Sequence, residues 1–245
     1  MTRHLILLCC SVALIACGTD EAPEAADTFV EPQEVADPNL EPPPEGQGFQ
    51  LTMEATAEPY SELWLCEVKP IPITKVAAVN WVEVKQNGGT HHLTLSTLGF
   101  ASAGKLAHGR YDCRELYGDK SLMSDQIMFY GNQGVAHETM KLPKGIAATL
   151  PPTIDVIHEI HYVNATDKPI DLYSRINAWT IPDDEFEAGI WGGSVRDEHI
   201  NIPKEGKHTE WTRCVFNKDV DVLFLASHTH ALGVDFTIAR YDGET

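Results

Sequence analysis

Val76-Ala77-Ala78-Val79-Asn80-Trp81-Val82-Glu83-Val84-Lys85-Gln86-Asn87-Gly88-Gly89-Thr90-His91-His92-Leu93-Thr94-Leu95 reads as a strand, a turn and a second strand. Residues 76–84 alternate and are rich in β-branched and aromatic types, as a half-buried strand requires. Asn87-Gly88-Gly89 is a strong turn signal. A strand restarts near His91 and runs through Leu93, Leu95 and Leu98.

The same texture extends outward. Residues 63–68, 154–163, 172–180, 187–191, 210–216, 220–226 and 234–239 are predicted strands, and no stretch reads convincingly as a helix. Residues 100–145 are long, glycine-bearing and irregular. Many short strands separated by turns place the chain in the all-β class, as a sandwich or barrel. Ile181-Pro182-Asp183-Asp184 is the expected boundary between a first unit, residues 51–180, and a second, residues 181–245. The second holds about four strands where a complete sandwich has about seven. It is expected to be a domain cut short.

Ahead of these units lies a different composition. Residues 18–50 contain nine Asp or Glu, six prolines and no Lys or Arg. Such a segment buries too little apolar surface to offset its ordering entropy, so residues 17–50 are expected to form a disordered acidic linker. Before it, Met1-Thr2-Arg3-His4 precedes an apolar run from Leu5 to Ala16, too short to span a bilayer but suited to a signal peptide. Leu14-Ile15-Ala16-Cys17 looks like the lipobox of bacterial lipoproteins, which implies cleavage after residue 16 and lipidation of Cys17. The expected location is the cell envelope, periplasm-facing or on the cell surface, with the lipid as the membrane contact.

The net charge of −18 repels nucleic acid. Export also sets the cysteine chemistry. Cys66, Cys113 and Cys214 remain after Cys9, Cys10 and Cys17 are set aside, in a compartment where disulfides persist. Three cannot all pair within one chain: one partner lies elsewhere, or one thiol is free.

The histidines carry the chemistry. His228-Thr229-His230 follows the apolar run Val222-Leu223-Phe224-Leu225, and the strand period of two sends both imidazoles to one face, where they can share a metal. Adjacent His91 and His92 point to opposite faces of a regular strand. They ligate together only if the backbone is irregular there, a freedom Gly88-Gly89 offers. His161 lies inside a predicted strand, in Glu159-Ile160-His161-Tyr162. Imidazole-only donor sets suit copper and zinc.

Zinc hydrolase patterns fit poorly. A metallo-β-lactamase pattern needs Asp two residues after His-x-His, where Leu232 stands. A zincin needs His-Glu-x-x-His on a helix, whereas His158-Glu159-Ile160-His161 is shorter and lies in a strand pattern.

Taken in order, these motifs resemble the type II copper, ascorbate-dependent monooxygenases, the family of peptidylglycine α-hydroxylating monooxygenase and dopamine β-monooxygenase. Glu62-Leu63-Trp64-Leu65-Cys66, Gly89-Thr90-His91-His92-Leu93, Leu142-Pro143-Lys144-Gly145, Glu159-Ile160-His161-Tyr162-Val163-Asn164 and His228-Thr229-His230-Ala231-Leu232-Gly233 carry the likeness. It covers residues 58–245.

The resemblance implies two jelly-roll-like β-sandwich domains with one copper on each. His91, His92 and His161 would hold the electron-transfer copper, and His228 and His230 would be two ligands of the oxygen-binding copper. Cys66 would pair with Cys113, and Cys214 with a cysteine beyond Thr245. The implied reaction is hydroxylation of a small-molecule C–H bond by O₂, with two electrons from ascorbate or a similar reductant.

Some positions depart from the pattern. The family's Met ligand has no counterpart, since no Met follows Met140. Ala226 stands where the peptide-hydroxylating member has a substrate-gripping Arg, which disfavours a peptidylglycine substrate. Glu159 and His158 are unusual for that strand. The alternative function is an exported copper-binding or buffering lipoprotein without catalysis.

Overall fold

The computed structural model describes residues 39–99, 102–120, 126–190, 200–217, 219–223, 225, 232–241 and 243. Two antiparallel-dominated sheets pack face to face as a sandwich. The first holds β1 (Gly48–Ala57), β10 (Ile170–Thr180), β3 (Ala77–Gln86), β8 (Ile146–Leu150) and β11 (Ala188–Gly189) in that order, with β7 (His137–Lys141) also paired to β3. The second runs β5 (Gly109–Asp112), β2 (Ser61–Pro70), β9 (Asp155–Asn164), β4 (Thr90–Leu98) and β6 (Gln126–Gln133). The two strands read from the opening stretch are present but do not pair with each other. β3 and β4 belong to opposite sheets, and the Asn87–Gly89 turn carries the chain across.

The core lies between the sheets. Phe49, Leu51 and Met53 of β1 and Leu172, Ile176 and Ala178 of β10 meet Leu93 and Leu95 of β4 and Val156, Ile160 and Tyr162 of β9. Burying each of the larger of these side chains contributes about 1.5–3 kcal/mol. His158 also points inward. It is fully buried, its Nε2 lies 2.9 Å from Ser174 Oγ on the facing sheet, and its Nδ1 has no hydrogen-bond partner. Desolvation holds its pKa well below that of an ordinary histidine.

The five-stranded sheet is covered on its other face as well. Cys66, Val68 and Ile157 on that face pack with Cys113 and Leu116 of the only helix among the described residues, α1 (Cys113–Gly118). Asp112 caps it by accepting from the Arg114 amide. Six residues cannot hold a helix alone. The Cys66–Cys113 disulfide ties this one to the sheet.

Several expectations are corrected here. Residues 39–47, assigned by composition to a disordered linker, lie against the six-stranded sheet. Gln50 Nε2 donates to the Leu40 carbonyl, Asn177 Nδ2 to that of Glu41 and Lys85 Nζ to that of Asn39. Pro43 is buried, and strand β1 begins at Gly48. Side-chain donors from neighbouring strands satisfy backbone that composition alone leaves to water. The region read as irregular, 100–145, contains β5, α1, β6 and β7.

In the opposite direction, residues 210–216, 220–223, 225 and 234–239 form no strand among the described residues, although the sequence predicts strands there. Every described residue from 200 onward is exposed, including Trp211 and Val234. A strand pattern becomes a strand only within a ladder, and the ladders among the described residues do not include these.

Candidate metal centre

The outer face of the five-stranded sheet is organised in rows across three neighbouring strands. Trp64 of β2, His161 of β9 and His92 of β4 form one row, and Cys66, Glu159 and Thr94 the next. The period of two sends His161 and Glu159 outward while Ile160 and Tyr162 fill the core. One strand thereby serves both packing and site.

His91 joins this face through a defect in the ladder. Thr90 pairs with Tyr162 and His92 with His161, so the register shifts by one residue and His91 is the inserted residue of a bulge. Such a bulge re-aims a side chain that alternation would send inward. Gly89, at φ +81°, turns the chain into it; a left-handed residue of this kind favours glycine. The irregularity that adjacent histidine ligands require is present at the predicted place.

The three imidazoles converge. Their centroids are 4.8–5.1 Å apart, and one ligand-capable nitrogen from each lies within 4.8 Å of the others. Nδ1 of His91 and Nδ1 of His161 are 3.1 Å apart. Two nitrogens bound to one metal at about 2.0–2.1 Å are separated by about 2.9–3.4 Å. His161 is buried, His92 half-buried and His91 exposed, so the group opens to solvent on the His91 side. The group can hold a metal ion.

Two carboxylates bind the Nε2 atoms of His92 and His161. His92 Nε2 lies 2.6 Å from Glu159 Oε1, and His161 Nε2 lies 2.6 Å from Glu62 Oε1. Glu159 is buried and also accepts from Trp64 Nε1 at 2.6 Å, from Thr94 Oγ1 at 2.7 Å and from the Tyr117 hydroxyl. Burial pushes its pKa up. The hydrogen bonds from His92, Tyr117, Thr94 and Trp64 together outweigh that and bring it down to about 2. Tyr117 is shifted upward, first by its own burial and then by the Glu159 charge. Glu62 is exposed and shared with Arg114; its pKa is lowered by the His161 contact and then by the guanidinium. The Trp64 ring stacks on His161 at 5.1 Å and 22°.

Of the site residues expected from sequence, the structure brings His91, His92 and His161 together and joins Cys66 to Cys113. Cys214 is an exposed free thiol. His228, His230 and Cys17 lie outside the described residues. Sequence reasoning noted Glu159 without a role and missed Glu62, Trp64 and Tyr117 as supports. The strand period would have put Glu159 on the face of His161, but nothing local announces Tyr117.

Comparison of the sequence with protein-family models and with curated proteins returns no match.

Proposed function

We propose that His91, His92 and His161 form a copper centre, and that the chain belongs functionally with the type II copper monooxygenases that hydroxylate a C–H bond using O₂ and a reductant such as ascorbate. The observation that carries this is the bulge at His91, which turns adjacent histidines into co-ligands beside His161. The donor set fits. It consists of three imidazoles, two of them bound at Nε2 by carboxylates, and no thiolate. Such a set suits copper or zinc. The order of motifs, ending in His228-Thr229-His230, favours copper and a second site in a second, jelly-roll-like domain.

Copper held there would supply one-electron redox chemistry. The chain's own residues hold and orient: Glu159 and Glu62 fix the rings of His92 and His161, and Trp64 covers one face of His161. In this reading the substrate is a small molecule, and His228 and His230 would be two ligands of the oxygen-binding copper. Export and a lipid anchor at Cys17 belong to the same reading, and the disulfide agrees with an oxidising compartment.

A second reading is a copper-binding or buffering lipoprotein without catalysis, for which the three converging histidines alone would suffice. Copper titration of the full chain with electron paramagnetic resonance, beside His161→Ala, tests the centre. One Cu(II) with a nitrogen-rich type II signal, lost in the variant, is the expected result. A folded protein holding no copper would remove both readings. Ascorbate-dependent oxygen uptake then separates enzyme from buffer.

A further inference from the structure

We propose that Glu159 is a positioning residue that fixes His92 as its Nε2–H tautomer, leaves Nδ1 as the nitrogen offered to the metal, and biases the centre toward a divalent ion. The inference rests on the copper reading for its second half only.

The argument begins with proton accounting. Trp64 Nε1, Thr94 Oγ1 and the Tyr117 hydroxyl donate to the two Glu159 oxygens, which act as acceptors throughout, so the hydrogen in the 2.6 Å contact belongs to His92 Nε2. A carboxylate has about four lone-pair positions. Those of Glu159 meet Trp64 Nε1, His92 Nε2, Thr94 Oγ1 and the Tyr117 hydroxyl. Every position is occupied, so Glu159 has none left for a metal and acts through His92.

The two supported histidines are not equivalent. The partner of His161 is Glu62, an exposed side chain that Arg114 also binds at 2.6 Å. Solvent and Arg114 weaken its hold. Glu159 is only 4% exposed, in surroundings where its charge is little screened. Its anion makes the His92 ring a stronger donor and lowers the total charge of the loaded site. Both effects favour Cu(II) over Cu(I). A carboxylate that merely filled space would do neither.

The metal-free full chain, labelled with ¹⁵N-histidine and examined by long-range ¹H–¹⁵N spectra at pH 8, reports the tautomer directly. The expected result is His92 protonated at Nε2 with bare Nδ1; His92 protonated at Nδ1 overturns the proposal. Copper affinities of wild type and Glu159→Gln, measured with competing chelators for each oxidation state, test the bias. Loss of a group that orients a metal-binding histidine costs about 10–100-fold in affinity. That loss is expected for Cu(II), with Cu(I) affinity changed by less than about threefold. An equal loss in both states, or no loss, overturns the bias. Wild-type protein with His92 as Nε2–H that binds no copper overturns the copper reading and upholds the tautomer.

Discussion

Removing the Cys66–Cys113 bridge should loosen the protein and its histidine face together. The two cysteines are 47 residues apart, and the chain-entropy relation for a loop of that length gives about 4 kcal/mol of stabilisation. For a chain of this size each kcal/mol shifts Tm by about 2–4 °C, so Cys66→Ala/Cys113→Ala is expected to melt about 8–16 °C lower. The local effect follows from α1, which is too short to persist without its tether. Once it leaves, Tyr117 no longer reaches Glu159, and Trp64 loses a ring neighbour at 5.5 Å. Calorimetry supplies Tm, and hydrogen exchange at residues 113–118 supplies the local effect. A Tm within about 2 °C of wild type would refute the loop-entropy estimate. Unchanged protection of the helix would refute the claim that the bridge holds it.

His158 makes stability depend on pH. Its folded pKa is depressed, so between that value and about 6.5 the unfolded chain takes a proton that the folded chain refuses. Its contribution is complete above about pH 6.5 and falls by about 1.4 kcal/mol per pH unit below it. Urea unfolding of metal-free wild type and His158→Gln at pH 7.5 and 5.5 should show their difference changing by about 1.4 kcal/mol, and parallel curves would contradict this. Gly48 is fixed by crowding: a Cβ there would lie 2.2 Å from the Ala178 carbonyl oxygen and 3.0 Å from Pro43 Cβ. Gly48→Ala is expected to cost about 1–3 kcal/mol and to expose residues 39–47 to proteolysis; an unchanged cleavage pattern would mean that this segment is held elsewhere.

The sheets and the ligands differ in how far they could be read from sequence. β2, β3, β4, β9 and β10 announce themselves because each has one face in the core, and alternation records that. β6 does not: Gln126-Ile127-Met128-Phe129-Tyr130-Gly131-Asn132-Gln133 lies at a sheet edge, with Ile127 and Met128 exposed. β1 was blurred by the acidic segment running into it. The histidine pair stated its own condition, an irregular backbone, and the register shift met it. The surroundings of Glu159 were illegible because they depend on contacts 42 to 95 residues away in the chain, assembled by sheet order and a disulfide. Alternation at 210–239 described what those residues could pair with, and pairing is not a local property.

The bulge at His91 has a structural consequence. A sheet absorbs one inserted residue without disturbing the faces on either side, since Thr90 and His92 keep their neighbours on β9. A single inserted residue therefore places a second imidazole beside an existing one, on the face away from the core, at no cost to the pairing around it.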